Sequence, residues 1–220
     1  MPSLTTENYV KAIHLICTDR DNRPASTGEI ATAMGVSPGT VTSMLKTLSE
    51  AKLATYTPYE GVRLTDSGDA LALRVIRRHR LIELFLVKTL GLSWDEVHEE
   101  AEHMEHAVSD RLVDRIEEYL DFPESDPHGD PIPKADGTVT EIQHTHRLID
   151  LSTGQEFCLV RVLDQSADFL RYLSDSGLKI GTFAQVTANH AAAGVVTVKT
   201  KDGETTFGRD VAEKLLVDIG

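Results

Sequence analysis

Apolar residues recur at helical spacing from the start of the chain, with Tyr9, Ile13, Ile16 and Cys17 on one face. The polar run 19–24 ends that period. A second, shorter helix is predicted next. Ser26 or Thr27 can cap it, Ile30, Ala31 and Met34 are its apolar positions, and Gly35 can supply the left-handed residue that stops it. A third starts near Pro38, which suits a first helical turn, and turns Val41, Leu45 and Leu48 inward. The pattern then changes to 53–56, the turn residues 58–61 and 62–64, which reads as a two-stranded hairpin. Helix, tight turn, helix and hairpin in this order predict a winged helix-turn-helix.

A long helix is predicted over 66–90, with Leu71, Val75, Leu81, Leu84 and Phe85 at apolar positions and Gly91 at its end. Ser93 with Glu96 three residues on is a capping-box pattern for the next helix, which carries Trp94, Val97, Ala101, Met104 and Val108. A further amphipathic segment holds Leu112, Ile116 and Leu120. Residues 121–137 are rich in Pro, Asp and Gly, the composition of a linker or ordered loop. Beyond them the period falls to two. Strands are predicted at 156–163, 183–187, 194–199 and 215–219, with a short helix at 167–174, a set that fits a small barrel. The expected fold is α+β and multidomain. A winged helix covers 1–73, a helical segment with a Pro-rich linker 74–138, and a small β-barrel 139–220.

Charge sharpens this division. The formal net charge is −13, but residues 1–66 hold six basic against seven acidic residues. Residues 67–122 hold seven against thirteen, and residues 123–220 nine against fifteen. A predicted DNA-reading domain is thus nearly neutral and joined to an acidic body, which argues against non-specific coating of nucleic acid. Two cysteines, Cys17 and Cys158, are too few for a disulfide framework, and Cys17 reads as a small core residue. The longest apolar stretches, such as 84–87, fall well short of the ~18–20 residues of a membrane span. The first residues lack a basic-then-apolar leader. The expectation is a cytoplasmic chain with no membrane partner.

Candidate chemistry lies in the helical segment. On a helix turning about 100° per residue, His98, Glu102, Glu105 and His106 fall within roughly one quadrant. His79 and Glu83, four apart, share a face of the preceding helix. Each residue alone reads as solvated surface, as Glu99, Glu100 and His103 do. Together, six imidazoles and carboxylates on adjacent helices suit one or two ions of Mn²⁺, Fe²⁺, Co²⁺, Ni²⁺ or Zn²⁺. His14, His144, His146 and His190 have no comparable spacing. A di-metal carboxylate enzyme competes for this pattern, but the Glu-x-x-His match at Glu100 and His103 points off the ligand face, where the spacing is Glu102-x-x-Glu105 instead, and a matching second helix is missing. A winged-helix regulator of an organic ligand is the other rival. Metal-dependent DNA binding separates all three.

The chain resembles the diphtheria-toxin-repressor family of metal-dependent transcriptional regulators over essentially its whole length. The resemblance rests on residues 5–9 (TTENY), 36–41 (VSPGTV), 64–68 (LTDSG), 78–83 (RHRLIE), 94–102 (WDEVHEEAE), Glu105-His106, 127–133 (PHGDPIP) and 178–181 (LKIG). It implies a winged helix, a helical dimerisation and metal-binding domain, and an SH3-like C-terminal barrel. It also implies a homodimeric repressor that binds palindromic operators of metal-uptake genes when it holds metal, two ions per subunit. Carried over by position, one ion falls to Glu102, Glu105 and His106 with Asn8. The second falls either to His79, Glu83 and His98 or to Glu83 with Asp126, His128 and Asp164, with Gln165 a weaker candidate. Glu102 stands where iron-responsive members commonly have Cys, which places the chain nearer the manganese type, with Fe²⁺ as the alternative. For DNA, Ser37, Pro38, Gly39, Thr40, Thr42 and Ser43 form the base-reading turn, Lys46 faces phosphate, and Thr27 and Arg63 are further backbone contacts.

Overall fold

The structure, a computed structural model, describes residues 3–140 and 145–220. His144 lies outside the described residues. The chain divides into two compact units. One is residues 1–79 with 105–108 and 133–138, and the other is residues 80–104 with 109–132 and 139–220. The segment expected at 74–138 is therefore shared between the two, and the boundary falls between His79 and Arg80.

The first unit opens with α1 (Leu4–Asp19), capped by Ser3, whose hydroxyl accepts from the Thr6 amide. α2 (Thr27–Met34) begins with a complete capping box of Ser26 and Glu29 and stops at Gly35 with φ 63°. α3 (Pro38–Glu50) starts from the Ser37 cap. β1 (Ala54–Thr57) and β2 (Gly61–Leu64) pair antiparallel, Ala54 opposite Leu64, to make the wing. Tyr9, Val10 and Ile13 of α1 share one core cluster with Ile30, Val41, Leu45 and Val62. α4 (Asp66–Phe85) begins against this core. Gly68 permits the approach, since a Cβ there would lie 1.9 Å from the Leu53 carbonyl oxygen.

In the second unit the end of α4 runs on through a π-helical turn, Leu86–Leu90, to Gly91 at φ 72°. α5 (Val97–Met104) and α6 (Asp110–Tyr119) follow. α5 is shorter than its apolar period predicts. Ser109 must take the extended conformation (φ −80°, ψ 152°) to cap α6, and the chain leaves the helix before it. Glu105 and His106 therefore sit in a turn, and helical angles do not describe them.

The remainder of the unit is β3 (Thr145–Arg147), β4 (Glu156–Val162), α7 (Ala167–Asp175), β5 (Phe183–His190), β6 (Val195–Thr200), β7 (Gly203–Gly208), α8 (Arg209–Ala212) and β8 (Leu215–Asp218). The strands form one antiparallel sheet in the order β3-β8-β4-β5-β6-β7. Among the described residues β3 and β7 end the sheet, so it is an open form of the expected barrel. Its core gathers Phe157, Leu159, Val186, Val198, Phe207 and Val217 with Leu170 and Leu173 of α7. Trp94 joins that core and donates its indole N–H to Ser174 Oγ at 2.9 Å.

Candidate metal centres and DNA-reading surface

In the first unit four functional side chains meet around Glu105, which is fully buried. The His79 Nδ1 lies 2.5 Å from Glu105 Oε2, and the His106 Nε2 lies 3.2 Å from Glu105 Oε1. The other nitrogen of His106 is 2.7 Å from Glu7 Oε2. Glu7 is itself buried, in the first turn of α1. If His106 donates to Glu7, its Nε2 faces a carboxylate with a lone pair and makes no hydrogen bond of good geometry. The Asn8 side-chain oxygen, on the same turn of α1, is also buried without a hydrogen-bond partner. Two carboxylates and an imidazole nitrogen, with the Asn8 amide oxygen on the turn of α1 that carries Glu7, make a donor set that fits a hard to borderline divalent cation. Lys11, one helical turn after Glu7, reaches the same carboxylate. Its ammonium donates to Glu105 at 2.9 and 3.1 Å.

In the second unit Glu83 is the centre. Its Oε1 lies 3.3 Å from His98 Nδ1 and its Oε2 3.8 Å from His128 Nδ1. Glu83, Asp126 and His128 are all buried and can bring one ligand atom each within 4.8 Å of the others. The His128 tautomer follows from its surroundings. Nε2 lies 2.8 Å from the Trp94 carbonyl oxygen, which can only accept, so Nε2 carries the proton. Nδ1 then points a lone pair at Glu83 and, 3.9 Å away, at Asp126 Oδ1, with no hydrogen-bond partner. That arrangement is repulsive unless a cation or a proton lies between them, and the Asp126 carboxyl is pushed up to about 8. Burial is the main cause, followed by the charges of Asp130 and Glu83, against the lowering effect of Arg80.

The loop that carries this site is tied to β4. The Val162 amide donates to the His128 carbonyl at 3.0 Å, and Asp130 accepts from Arg80 at 3.1 Å, from Gln165 at 3.0 Å and from Arg161. Gly129, at φ 87°, lies so close to β4 that a Cβ would come within 2.0 Å of the Val160 carbonyl oxygen.

Within each unit several of the expected residues meet. Glu105 and His106 meet in the first unit. Glu83, His98, Asp126 and His128 meet in the second, so both arrangements considered for the second ion share Glu83. Glu102 is half-exposed on α5, 4.0 Å from His98 Nε2. The structure takes Asp164 elsewhere. Its carboxylate holds the Lys214 ammonium at 2.8 Å and the Ser166 amide at 2.9 Å, and these bonds outweigh burial and lower its pKa. Gln165 holds Asp130. Glu7 is the residue sequence reasoning missed. Its four-residue spacing to Lys11 was visible, but on a helix that pattern reads as a solvated ion pair.

The recognition turn is accessible. Ser37, Pro38, Gly39, Thr40, Ser43 and Lys46 are exposed, and Thr42 is half-buried. Thr42 and Ser43 donate to the carbonyls of Pro38 and Gly39, one turn back, which leaves their oxygen lone pairs outward. Thr27 is half-buried at the first turn of α2. Arg63 is exposed on β2, and its guanidinium donates to the Asn22 carbonyl.

Three family models match the chain. They are the iron dependent repressor N-terminal DNA binding domain over 1–62, the iron dependent repressor metal binding and dimerisation domain over 65–134, and the FeoA domain over 146–219. The iron-dependent repressor IdeR of Mycobacterium tuberculosis is 30% identical over 97% of this chain and 96% of its own length. The regulator MntR of Lysinibacillus sphaericus is 30% identical over 64% of this chain and 98% of its own. Among solved structures, a manganese-dependent transcriptional repressor complexed with manganese matches with TM-score 0.83 and 38% identity, over 98% of this chain and all of that one. No helix among the described residues is long and apolar enough to cross a membrane.

Proposed function

The chain belongs to the diphtheria-toxin-repressor family of metal-dependent transcriptional repressors, and from that premise we propose that it is a homodimeric repressor activated by Mn²⁺. Fe²⁺ or Co²⁺ can substitute in vitro. One observation carries the reading. In each unit an imidazole nitrogen, of His106 in one and His128 in the other, faces carboxylates with no hydrogen-bond partner, which is the arrangement a divalent ion satisfies. Glu7, Asn8, Glu105 and His106 hold the activating ion. Glu83, Asp126 and His128, with His98 beside them, hold the second. The oxygen-rich donor set favours Mn²⁺ by geometry and availability, because intrinsic affinity for Mn²⁺ is the lowest of the series.

A bound ion supplies the positive charge that lets buried carboxylates remain together. Glu7 and Asn8 belong to α1, whose Tyr9, Val10 and Ile13 share the winged-helix core with Val41 and Leu45 of α3. Fixing the first turn of α1 against Glu105 and His106 therefore restrains the direction of the recognition helix. In a dimer, two such helices must stand about one DNA turn apart, ~34–36 Å, to enter successive major grooves of a palindrome. Restricting α1 raises the population of that spacing. Ser37, Thr40, Thr42 and Ser43 then meet base edges, and Lys46 meets phosphate.

The test is a mobility shift with the gene's own upstream region at fixed salt. Mn²⁺-loaded protein should bind at least tenfold more tightly than chelated protein, ~1.4 kcal/mol of coupling. Equal affinity in the two conditions would sink the reading.

A further inference from the structure

Lys11 is a buried cation that the activating mechanism does not use. Its side chain is 11% exposed, and its ammonium donates to Glu105 Oε2 at 2.9 Å and Oε1 at 3.1 Å, with His79 Nδ1 3.1 Å away. Carboxylate oxygens and an imidazole nitrogen gathered around one positive charge are what a divalent ion also requires. Glu105 is fully buried, and a buried carboxylate without a compensating charge is strongly destabilising. The lysine supplies such a charge from within the chain. It is well placed to do so, because it stands one turn beyond Glu7 on α1 and so reaches the carboxylate from the same helix that carries Glu7 and Asn8.

We propose that Lys11 is a tethered counter-cation of the activating site, which the incoming divalent ion must displace and which thereby sets the metal concentration needed for activation. This rests on the reading of Glu7, Asn8, Glu105 and His106 as a metal site. The consequence is a competition within one molecule. The lysine stabilises the metal-free carboxylates, and the ion gains only the difference between its own interaction and that of the ammonium. The apparent affinity for the ion is lowered by the fraction of molecules in which Lys11 holds Glu105. A lysine suits the role better than an arginine, since its compact head on a flexible stem can withdraw toward solvent without leaving a planar group to be repacked.

The experiment uses the full chain and the metal alone. Free Mn²⁺ is followed by electron paramagnetic resonance for wild type, Lys11→Met, which keeps the stem and loses the charge, and Lys11→Arg, which keeps the charge. Lys11→Met should tighten Mn²⁺ binding at the activating site about tenfold, ~1.4 kcal/mol. It should also lower the melting temperature of the metal-free protein while leaving the metal-loaded one within a degree or two. Lys11→Arg should stay within about threefold of wild type. Unchanged or weaker Mn²⁺ binding in Lys11→Met would overturn the proposal, since weaker binding would mean that the lysine merely orients Glu105.

A second measurement needs no variant and covers the case in which Lys11→Met does not fold without metal. Acylation of Lys11 in the wild type, read by peptide mass spectrometry, should speed up several-fold when Mn²⁺ is added, because the displaced ammonium leaves its shielded place. An unchanged rate in protein that demonstrably binds Mn²⁺ refutes displacement. Wild type that binds no Mn²⁺ at all refutes the metal reading itself, a separate result.

Discussion

The second site makes a prediction about protons. Asp126 has its carboxyl raised to about 8 by burial first and then by Asp130 and Glu83, so near pH 6 it carries a proton in the metal-free protein. Binding a divalent ion there must expel it. Each pH unit below 8 therefore costs that site about tenfold in apparent affinity, ~1.36 kcal/mol, and moving from pH 8 to pH 6 costs roughly a hundredfold. Calorimetry of Mn²⁺ binding to His106→Ala, which silences the other site, in buffers of different ionisation enthalpy counts the protons. Asp126 should release about one proton at pH 6 and about half of one at pH 8. Asp126→Asn should abolish that release. The sign for stability is the reverse of the usual carboxylate. The folded metal-free state holds this proton more tightly than the unfolded chain, so stability is fullest below about pH 4. It falls as pH rises toward 8, by at most ~1.36 kcal/mol per unit for this one group. A proton count that does not change between pH 6 and pH 8, or that survives in Asp126→Asn, would refute the assignment.

Three substitutions separate the roles of the other candidate residues. His106→Ala should weaken metal-dependent operator binding at least tenfold, because Glu7 and Glu105 keep their charges while losing the imidazole between them. Asp164→Ala, whose carboxylate holds Lys214, should leave Mn²⁺ binding within about twofold, and a loss as large as that of His106→Ala would put Asp164 among the ligands after all. Asn8→Asp should shift the Mn²⁺ midpoint for DNA binding to lower concentration by several-fold, since a charged oxygen replaces a neutral one that is buried without a partner. An unchanged midpoint would place residue 8 away from the ion.

The winged helix was legible in the sequence because its signals are local. Ser26, Gly35, Ser37 and Pro38 mark helix ends by backbone chemistry, and Val41, Leu45 and Leu48 repeat at the period of the element they bury. The sites were legible only in part, for two reasons. Helical angles assumed a helix through His106, but the cap that α6 requires at Ser109 ends α5 at Met104, so Glu105 and His106 take their positions from a turn. Long-range pairing also leaves no local mark. Nothing near Glu7 in sequence shows that its partner is His106, 99 residues away, or that Lys11 meets Glu105. β7 escaped prediction because only Phe207 of its six residues is buried, which leaves almost no alternation to read.

The two centres hold their carboxylates together by different means when no ion is bound, and this difference has a functional consequence. At the first, a fixed positive charge is supplied by the chain itself, Lys11 against Glu105, so the competitor is always present at unit stoichiometry. At the second, Arg80 approaches Asp126 no closer than 3.7 Å and is engaged with Asp130, and the competitor is the proton on Asp126. Occupancy of the second centre should then follow pH steeply between 6 and 8. The loop bearing His128 is bonded to β4 through Val162 and Asp130, so the state of that centre bears on the sheet of the second unit. Hydrogen exchange at the Val162 amide, measured at one Mn²⁺ concentration that half-fills this centre at pH 8, compared between pH 6 and pH 8 and corrected for intrinsic rates, should show greater protection at the higher pH. Equal protection would separate the loop's docking from its metal.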